Sequence, residues 1–173
     1  ELGKKFSFHV TVVPEFSVDG ETVSSTKIRN VLLQGDVITA AKMLGRFYSF
    51  KGKIVRGDGR GKQLGFPTAN ISIDSEDKLI PAKGIYAAEC IVENEKHFGL
   101  LSLGSRPTFH DNGTVIPEFY IFDFDNDIYD KIMQVNLVER IRDEEKFNTV
   151  DDLIIQMKND EKIGRQILNK IIN

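Results

Sequence analysis

The sequence predicts a mainly β protein built on a six-stranded antiparallel closed barrel, with helices at its C-terminal end and a short α/β segment ahead of it. Three observations carry that reading. From Phe47 onward, about six short stretches rich in Val, Ile, Tyr and Phe recur between Gly, Asn and Asp turns. The links between them are of hairpin type, and no helical periodicity intervenes, which favours an antiparallel barrel over an α/β sheet. The last 25 or so residues then switch to a helical apolar spacing.

Taken in order, residues 6–13 (FSFHVTVV) alternate as a strand should, and Pro14 and Gly20 close that element. Ser24, Ser25 and Thr26 are candidate caps for a helix carrying Ile28, Val31 and Leu32 at helical spacing. A second short helix is expected from Asp36, its cap, to Leu44, with Gly45 as its stop. Strands follow near 49–56, 69–73, 84–93, 97–103, 117–124 and 132–141. Asn94-Glu95 and residues 125–127 (DND) read as hairpin connections, and Asn112-Gly113 as a turn within a longer loop. In the tail, Asn148 or Thr149 caps a run with Leu153, Ile154 and Met157, followed by Ile163, Ile167, Leu168 and Ile171. That stripe is expected to pack on the barrel, with a partner-binding helix as the other reading.

Composition narrows the function. A 40% hydrophobic content with 28% charged residues describes a chain that buries one core, and no apolar run approaches the ~20 residues of a transmembrane span. The net charge is −3 and the basic residues are scattered, so a nucleic-acid partner is not expected. One cysteine, Cys90, in an alternating stretch, reads as a small core residue. The chain opens on Glu1 with no signal-peptide pattern, and a fragment of a longer cytoplasmic protein is expected.

Chemistry concentrates in residues 57–70, GDGRGKQLGFPTAN. Gly57, Gly59, Gly61 and Gly65 let backbone amides converge into an anion nest, and Arg60 and Lys62 add charge, as a polyphosphate requires. It is not a Walker A loop: three residues separate Gly57 from Gly61, Gln63 follows Lys62, and Pro67 leads into a strand rather than a helix. A flexible hairpin with a solvated basic tip is the competing reading. If residues 67–70 are extended, Thr68 and Asn70 project to one face as neutral oxygen ligands, a set suited to a magnesium ion whose charge is balanced by nucleotide phosphates.

This stretch, GRGKQLGFPTAN, closely resembles the signature of riboflavin kinases. The resemblance covers residues 46 to about 160, with GRFYSFKGKIVRGDGRGKQLGFPTANI, PAKGIYAA, SLGSRPTF, EFYIFDF and ERIRDEEKF in the family's order. The preceding VSSTKIR and GDVITAAKMLGR are similar to the end of an FMN adenylyltransferase module, the arrangement of bacterial bifunctional riboflavin kinase/FAD synthetases. The resemblance implies ATP-dependent phosphorylation of the riboflavin ribityl 5′-hydroxyl to FMN, on a six-stranded barrel. Residues 1–45 would then be the remnant and linker of the N-terminal module, and residues 46–173 the kinase domain. By matching motif positions it implies Thr68 and Asn70 as metal ligands, with Gly57, Gly59, Arg60, Gly61, Lys62, Gly65, Pro67 and Thr68 around the nucleotide. Glu118 becomes the base, and Arg142 and Phe147, in a loop after the last strand, border the flavin. Two positions depart from the family pattern, Tyr120 where His is frequent and Asp130 where Gly is frequent.

Other candidates carry less. Asp123, Asp125 and Asp127 begin with the spacing of a calcium loop, but Ile128 and Gln134 stand where that loop needs Gly and Glu, so a polar hairpin is expected. His9, His97 and His110 lack ligand spacing. Alternatives of another class are a flavin- or nucleotide-binding module without catalysis and an interaction protein using its helical tail. Because adenylyl transfer needs a nucleotide domain with a phosphate-contacting His motif, and only VSSTKIR matches the end of one, this chain should leave FMN unchanged when incubated with ATP. Chromatographic detection of FAD would contradict that.

Overall fold

The computed structural model describes residues 2–57, 59–73, 75, 77–105 and 115–172. Its elements are helix α1 (Leu2–Lys5), a two-residue ladder of β1 (Ser17–Val18) and β2 (Glu21–Thr22), helices α2 (Ser25–Leu33) and α3 (Val37–Leu44), and strand β3 (Tyr48–Val55). A single helical turn α4 (Arg60–Gln63) precedes β4 (Thr68–Ser72), β5 (Gly84–Val92), β6 (Glu95–Ser105), β7 (Val115–Ile121), β8 (Ile132–Arg142) and helix α5 (Val150–Ile172). The six longer strands close a barrel in the order β3-β4-β7-β6-β5-β8, every pairing antiparallel. Closure leaves no free sheet edge, which is what lets a sheet of this size stand without a second layer on every side.

Side-chain alternation decides what fills the barrel. Phe50 and Ile54 of β3, Tyr86, Ala88, Cys90 and Val92 of β5, Leu101 and Leu103 of β6, Phe119 of β7, and Met133, Val135 and Leu137 of β8 form one buried cluster. Leu32, Val37 and Ala40 of α2 and α3 join it, so the helices before the barrel close one end of its interior. β5 is buried on both faces, and the reason is α5: Ile167 and Leu168 press on Ala87 and Val138 from outside. At the start of α5, Thr149 Oγ1 accepts from the Asp152 amide at 3.1 Å, while Asp151 and Asp152 complement the positive end of the helix.

Several expectations are corrected. Residues 6–13 form no strand: Phe6, Phe8, Val10, Val12 and Val13 are exposed, and no described strand lies beside them to pair their amides. The expected C-terminal helical stripe is one continuous 23-residue helix, and of its two candidate caps Thr149 caps it. The β5–β6 hairpin turns at Glu93-Asn94, one residue early, because both adopt left-handed φ (50° and 69°), as a tight two-residue hairpin turn requires. A helical turn, α4, does interrupt the glycine segment before Pro67. Asn112-Gly113 falls outside the described residues. The expected helices are seen, with Ser24 accepting from the Lys27 amide, Asp36 from the Thr39 amide, and Gly45 ending α3 at φ 68°.

Burial beside Glu89 pushes the Cys90 thiol up to about 12. A thiol pKa raised by folding stabilises the native state below its unfolded value near 9 and loses that contribution as pH climbs toward 12. Cys90 should therefore resist a thiol-specific chromogenic reagent at pH 8 in the native protein and react at least about 10²-fold faster in denaturant; equal rates would place it outside the core.

Candidate functional site

The site is built on the outer wall of the barrel, where β4 meets β7. Ala69 and Ile71 of β4 face the core, so Thr68 and Asn70 face outward on the same side. Register places Thr68 opposite Tyr120 and Asn70 opposite Glu118. On the far side of β7, Ser102 of β6 stands opposite Glu118. Across this ladder Thr68 Oγ1 donates to Glu118 Oε2 at 3.2 Å. The hydroxyl expected at the metal and the carboxylate expected as the base are thus brought into contact, 50 residues apart in sequence.

The glycine segment folds back over this wall. Phe66 donates its amide to the Gly61 carbonyl at 2.9 Å, and Gly59 and Gly65 take left-handed φ of 68° and 84°. Two glycines are required by contact: a β-carbon on Gly57 would overlap the Asn70 side-chain amide, and one on Gly61 would overlap the Phe66 carbonyl and lie 3.3 Å from Thr68 Oγ1. The loop backbone therefore lies directly on the Thr68/Asn70 pair, and Asn70 is buried although it faces outward. The side chain of Arg60 is not among those described; Lys62 and Pro67 are exposed.

Two cavities meet at Thr68. One, of about 290 Å³, is lined by Lys62, Pro67, Thr68 and the residues 124–129 that follow β7, together with the core-facing Ile54, Ala69, Phe119 and Ile121, so it reaches into the barrel from the side of β4 and β7. The other, of about 510 Å³, is lined by Phe66, Thr68, Ser102, Glu118, Tyr120, Arg142 and Phe147, with Leu153 and Met157 of α5. Glu144, Glu145 and Asp160 also line it, and its size with apolar walls beside these carboxylates and Arg142 suits an aromatic ligand that also carries polar groups. The expected flavin residues Arg142 and Phe147 share this cavity, the guanidinium 5.8 Å from the ring centre. Arg142 is the last residue of β8, not part of a loop, and is tied to Asp160 of α5.

The structure gives physical accounts of both departures from the family pattern. Asp130 holds φ 64°, the left-handed region that glycine favours and that Asp tolerates, and it pairs with Lys53 at 2.7 Å, which holds its carboxyl below the usual range. Tyr120 lies edge-on between Phe66 and Phe122, at 5.3 and 5.7 Å between ring centres; burial, then the nearby Glu161, raises its phenol, so it remains a neutral hydroxyl. Among the described residues no cluster of three His, Cys, Asp or Glu stands together to hold a metal. A cation here would rely on neutral Thr and Asn oxygens and on its ligand's own phosphates.

Residue-by-residue reading missed Phe66, Ser102 and Asp160, and treated residues 125–127 as a polar hairpin only, whereas they line the smaller cavity. Asp160 left a signal: Leu153, Met157, Asp160, Gly164 and Ile167 recur at helical spacing, so one carboxylate sits on an otherwise small or apolar stripe.

The fold is a closed six-stranded barrel whose outer wall carries a glycine loop over a Thr/Asn pair and a carboxylate. The riboflavin kinase family model matches residues 44–168, and the chain belongs to that family. It is 39% identical over 95% of its length to a bifunctional riboflavin kinase/FMN adenylyltransferase of Listeria monocytogenes, and 33% identical over 96% to that of Escherichia coli K12; in each case it covers 52% of the relative. The chain thus spans about half the length of the curated relatives it matches. A Streptococcus pneumoniae crystal structure described as a macrolide-efflux protein superposes with TM-score 0.85 at 36% identity, covering 95% of this chain and 53% of that one. Riboflavin kinase from Trypanosoma brucei superposes with TM-score 0.52 at 24% identity, over 70% of this chain and 77% of that one, a likeness of fold. Among the described residues no helix is long and apolar enough to cross a membrane.

Gly57→Ala tests the loop's contact with Asn70. The added methyl must displace the amide or the loop, so Mg·ADP affinity should fall about tenfold while the circular dichroism of the barrel is unchanged. Unaltered calorimetric binding would separate the glycine loop from the site.

Proposed function

We propose that this chain transfers the γ-phosphate of ATP to the ribityl 5′-hydroxyl of riboflavin, giving FMN and ADP. The observation that carries the reading is the Thr68–Glu118 contact at the junction of the two cavities. Phosphoryl transfer asks a protein for in-line positioning, charge neutralisation and one group to take the hydroxyl proton. The smaller cavity, beside Lys62 and the glycine loop, is assigned to the nucleotide. Gly57, Gly59, Arg60, Gly61, Gly65 and Pro67 shape or charge its phosphate end. The larger cavity, with Arg142 and Phe147, takes the isoalloxazine, and its ribityl chain runs toward Glu118. Glu118 accepts the 5′-hydroxyl proton and orients the attacking oxygen toward the phosphate held at Thr68.

Thr68 and Asn70 would hold a divalent cation, magnesium by the hardness of their oxygens. When bound, that ion neutralises phosphate charge during transfer. A binding module without catalysis is not favoured, because it has no need of a carboxylate set against the phosphate-facing hydroxyl. Residues 1–45 are assigned to the linker and the end of an adenylyltransferase module, and the full-length chain is placed in the cytoplasm as a two-step maker of FMN and FAD.

Glu118→Gln keeps size and much of the hydrogen bonding but removes basicity. Turnover should fall roughly 10²-fold or more, with riboflavin and Mg·ADP affinities changed far less, as read by FMN formation at saturating substrates beside calorimetric titrations. Near-normal turnover would remove Glu118 from the chemistry. Thr68→Ala should instead weaken Mg·ADP binding while the apo protein's Tm moves little, since Thr68 is only partly buried; a large apo destabilisation with unchanged binding would make it a structural residue.

A further inference from the structure

Arg142 reaches the larger cavity from the end of β8, and a lone guanidinium there would swing on a long flexible stem. It is instead held by Asp160, which lines the same cavity. Arg142 Nε donates to Asp160 Oδ1 at 2.9 Å and Oδ2 at 3.0 Å, Nη2 donates to Oδ2 at 2.7 Å, and Nη1 donates to the Asp143 carbonyl at 2.8 Å. Of the five N–H groups of an arginine, three are thereby used, which leaves one on each terminal nitrogen, with Glu145 Oε2 lying 3.9 Å from Nη1. Phe147 lies against the same guanidinium. The acid is itself fixed: Asp160 is 2% exposed, and its Oδ1 also accepts from Gln156 Nε2 at 2.8 Å, one helical turn earlier.

A buried carboxylate on the packed face of an amphipathic helix is destabilising unless it is paired, and here both oxygens are satisfied by the arginine and by Gln156. The same helix supplies Leu153 and Met157 to the cavity wall. α5 therefore contributes both the apolar wall and the charge that aims Arg142.

We propose that Asp160 is the positioning residue for riboflavin: it acts through Arg142, orienting the guanidinium's two remaining donors and its Phe147-facing plane for the flavin, while contributing nothing to the nucleotide cavity. This rests on the assignment of the larger cavity to flavin. Lys62, Thr68 and residues 124–129, which line the smaller cavity, include neither partner of the pair.

The test is a double-mutant cycle on riboflavin affinity, measured by quenching of flavin fluorescence in the presence of Mg·ADP, with steady-state KM values alongside. Asp160→Asn keeps shape and one acceptor oxygen but removes the charge. It should raise the riboflavin Kd and KM about tenfold, lower kcat by less, and leave the KM for ATP within about twofold. Arg142→Met should raise the riboflavin Kd comparably. In the Arg142→Met background, adding Asp160→Asn should cost little more, because the acid has lost the group through which it acts. Fully additive losses, or an equal rise in both KM values, would overturn the proposal and make Asp160 a general prop of the helix. An unchanged riboflavin Kd in Arg142→Met would overturn it by a different route, by removing the flavin from this cavity. Should Asp160→Asn not fold, Gln156→Met deletes only the second donor to Asp160, and a two- to threefold rise confined to riboflavin is then expected; no change would contradict the proposal.

Discussion

The antiparallel register of β4 against β7 is the constraint on which the rest depends. With Asn70 opposite Glu118 and Thr68 opposite Tyr120, a hydroxyl, an amide and a carboxylate occupy one outward patch. A slip of one residue would turn Ala69 and Phe119 outward and send these polar groups into the core. Register is thus held by the apolar halves of the same strands. Ile71 and Phe119 are buried in the barrel, and their burial fixes the chemistry on the opposite face.

The second layer of the account is helix α5. It packs on the outer faces of β5, β6 and β8, burying the outward Ala87 of β5 and Val138 of β8, and it ties down the ends of two strands next to the cavities. Arg165 pairs with Asp123 at 2.7 and 2.9 Å where β7 ends, and lies 4.3 Å from the Phe122 ring centre. Asp160 pairs with Arg142 where β8 ends. Exposed ion pairs contribute little individually, but the Asp160 pair is buried and geometrically forked, the class in which removing one partner is costly.

What the sequence made legible was local and periodic. Alternation in YSFKGKIV and in GIYAAECIV, the caps Ser24 and Asp36, and the glycine cluster each announce their own geometry within a few residues. The match to riboflavin kinase motifs added what periodicity lacks, the link between residues 57–70 and Glu118. Two kinds of feature were hidden. Residues 6–13 alternate like a strand yet have no strand beside them among the described residues, and pairing is a property of the partner, not of the segment. The Arg142–Asp160 fork joins residues on different elements, and a single sequence does not say which acid an arginine will meet. Glu93-Asn94 was displaced by one residue because several Asn, Glu and Asp positions fit a turn equally well.

The central claim is that two ligands meet across Thr68 and Glu118 and that a phosphoryl group passes between them. Incubation of the chain with riboflavin, magnesium and ATP labelled at its γ-phosphate tests it most directly. The account requires label to appear in FMN, with one ADP released per FMN, and no label transfer to a flavin that lacks the ribityl chain. ADP formation without labelled FMN would contradict the claim, as would riboflavin recovered unchanged.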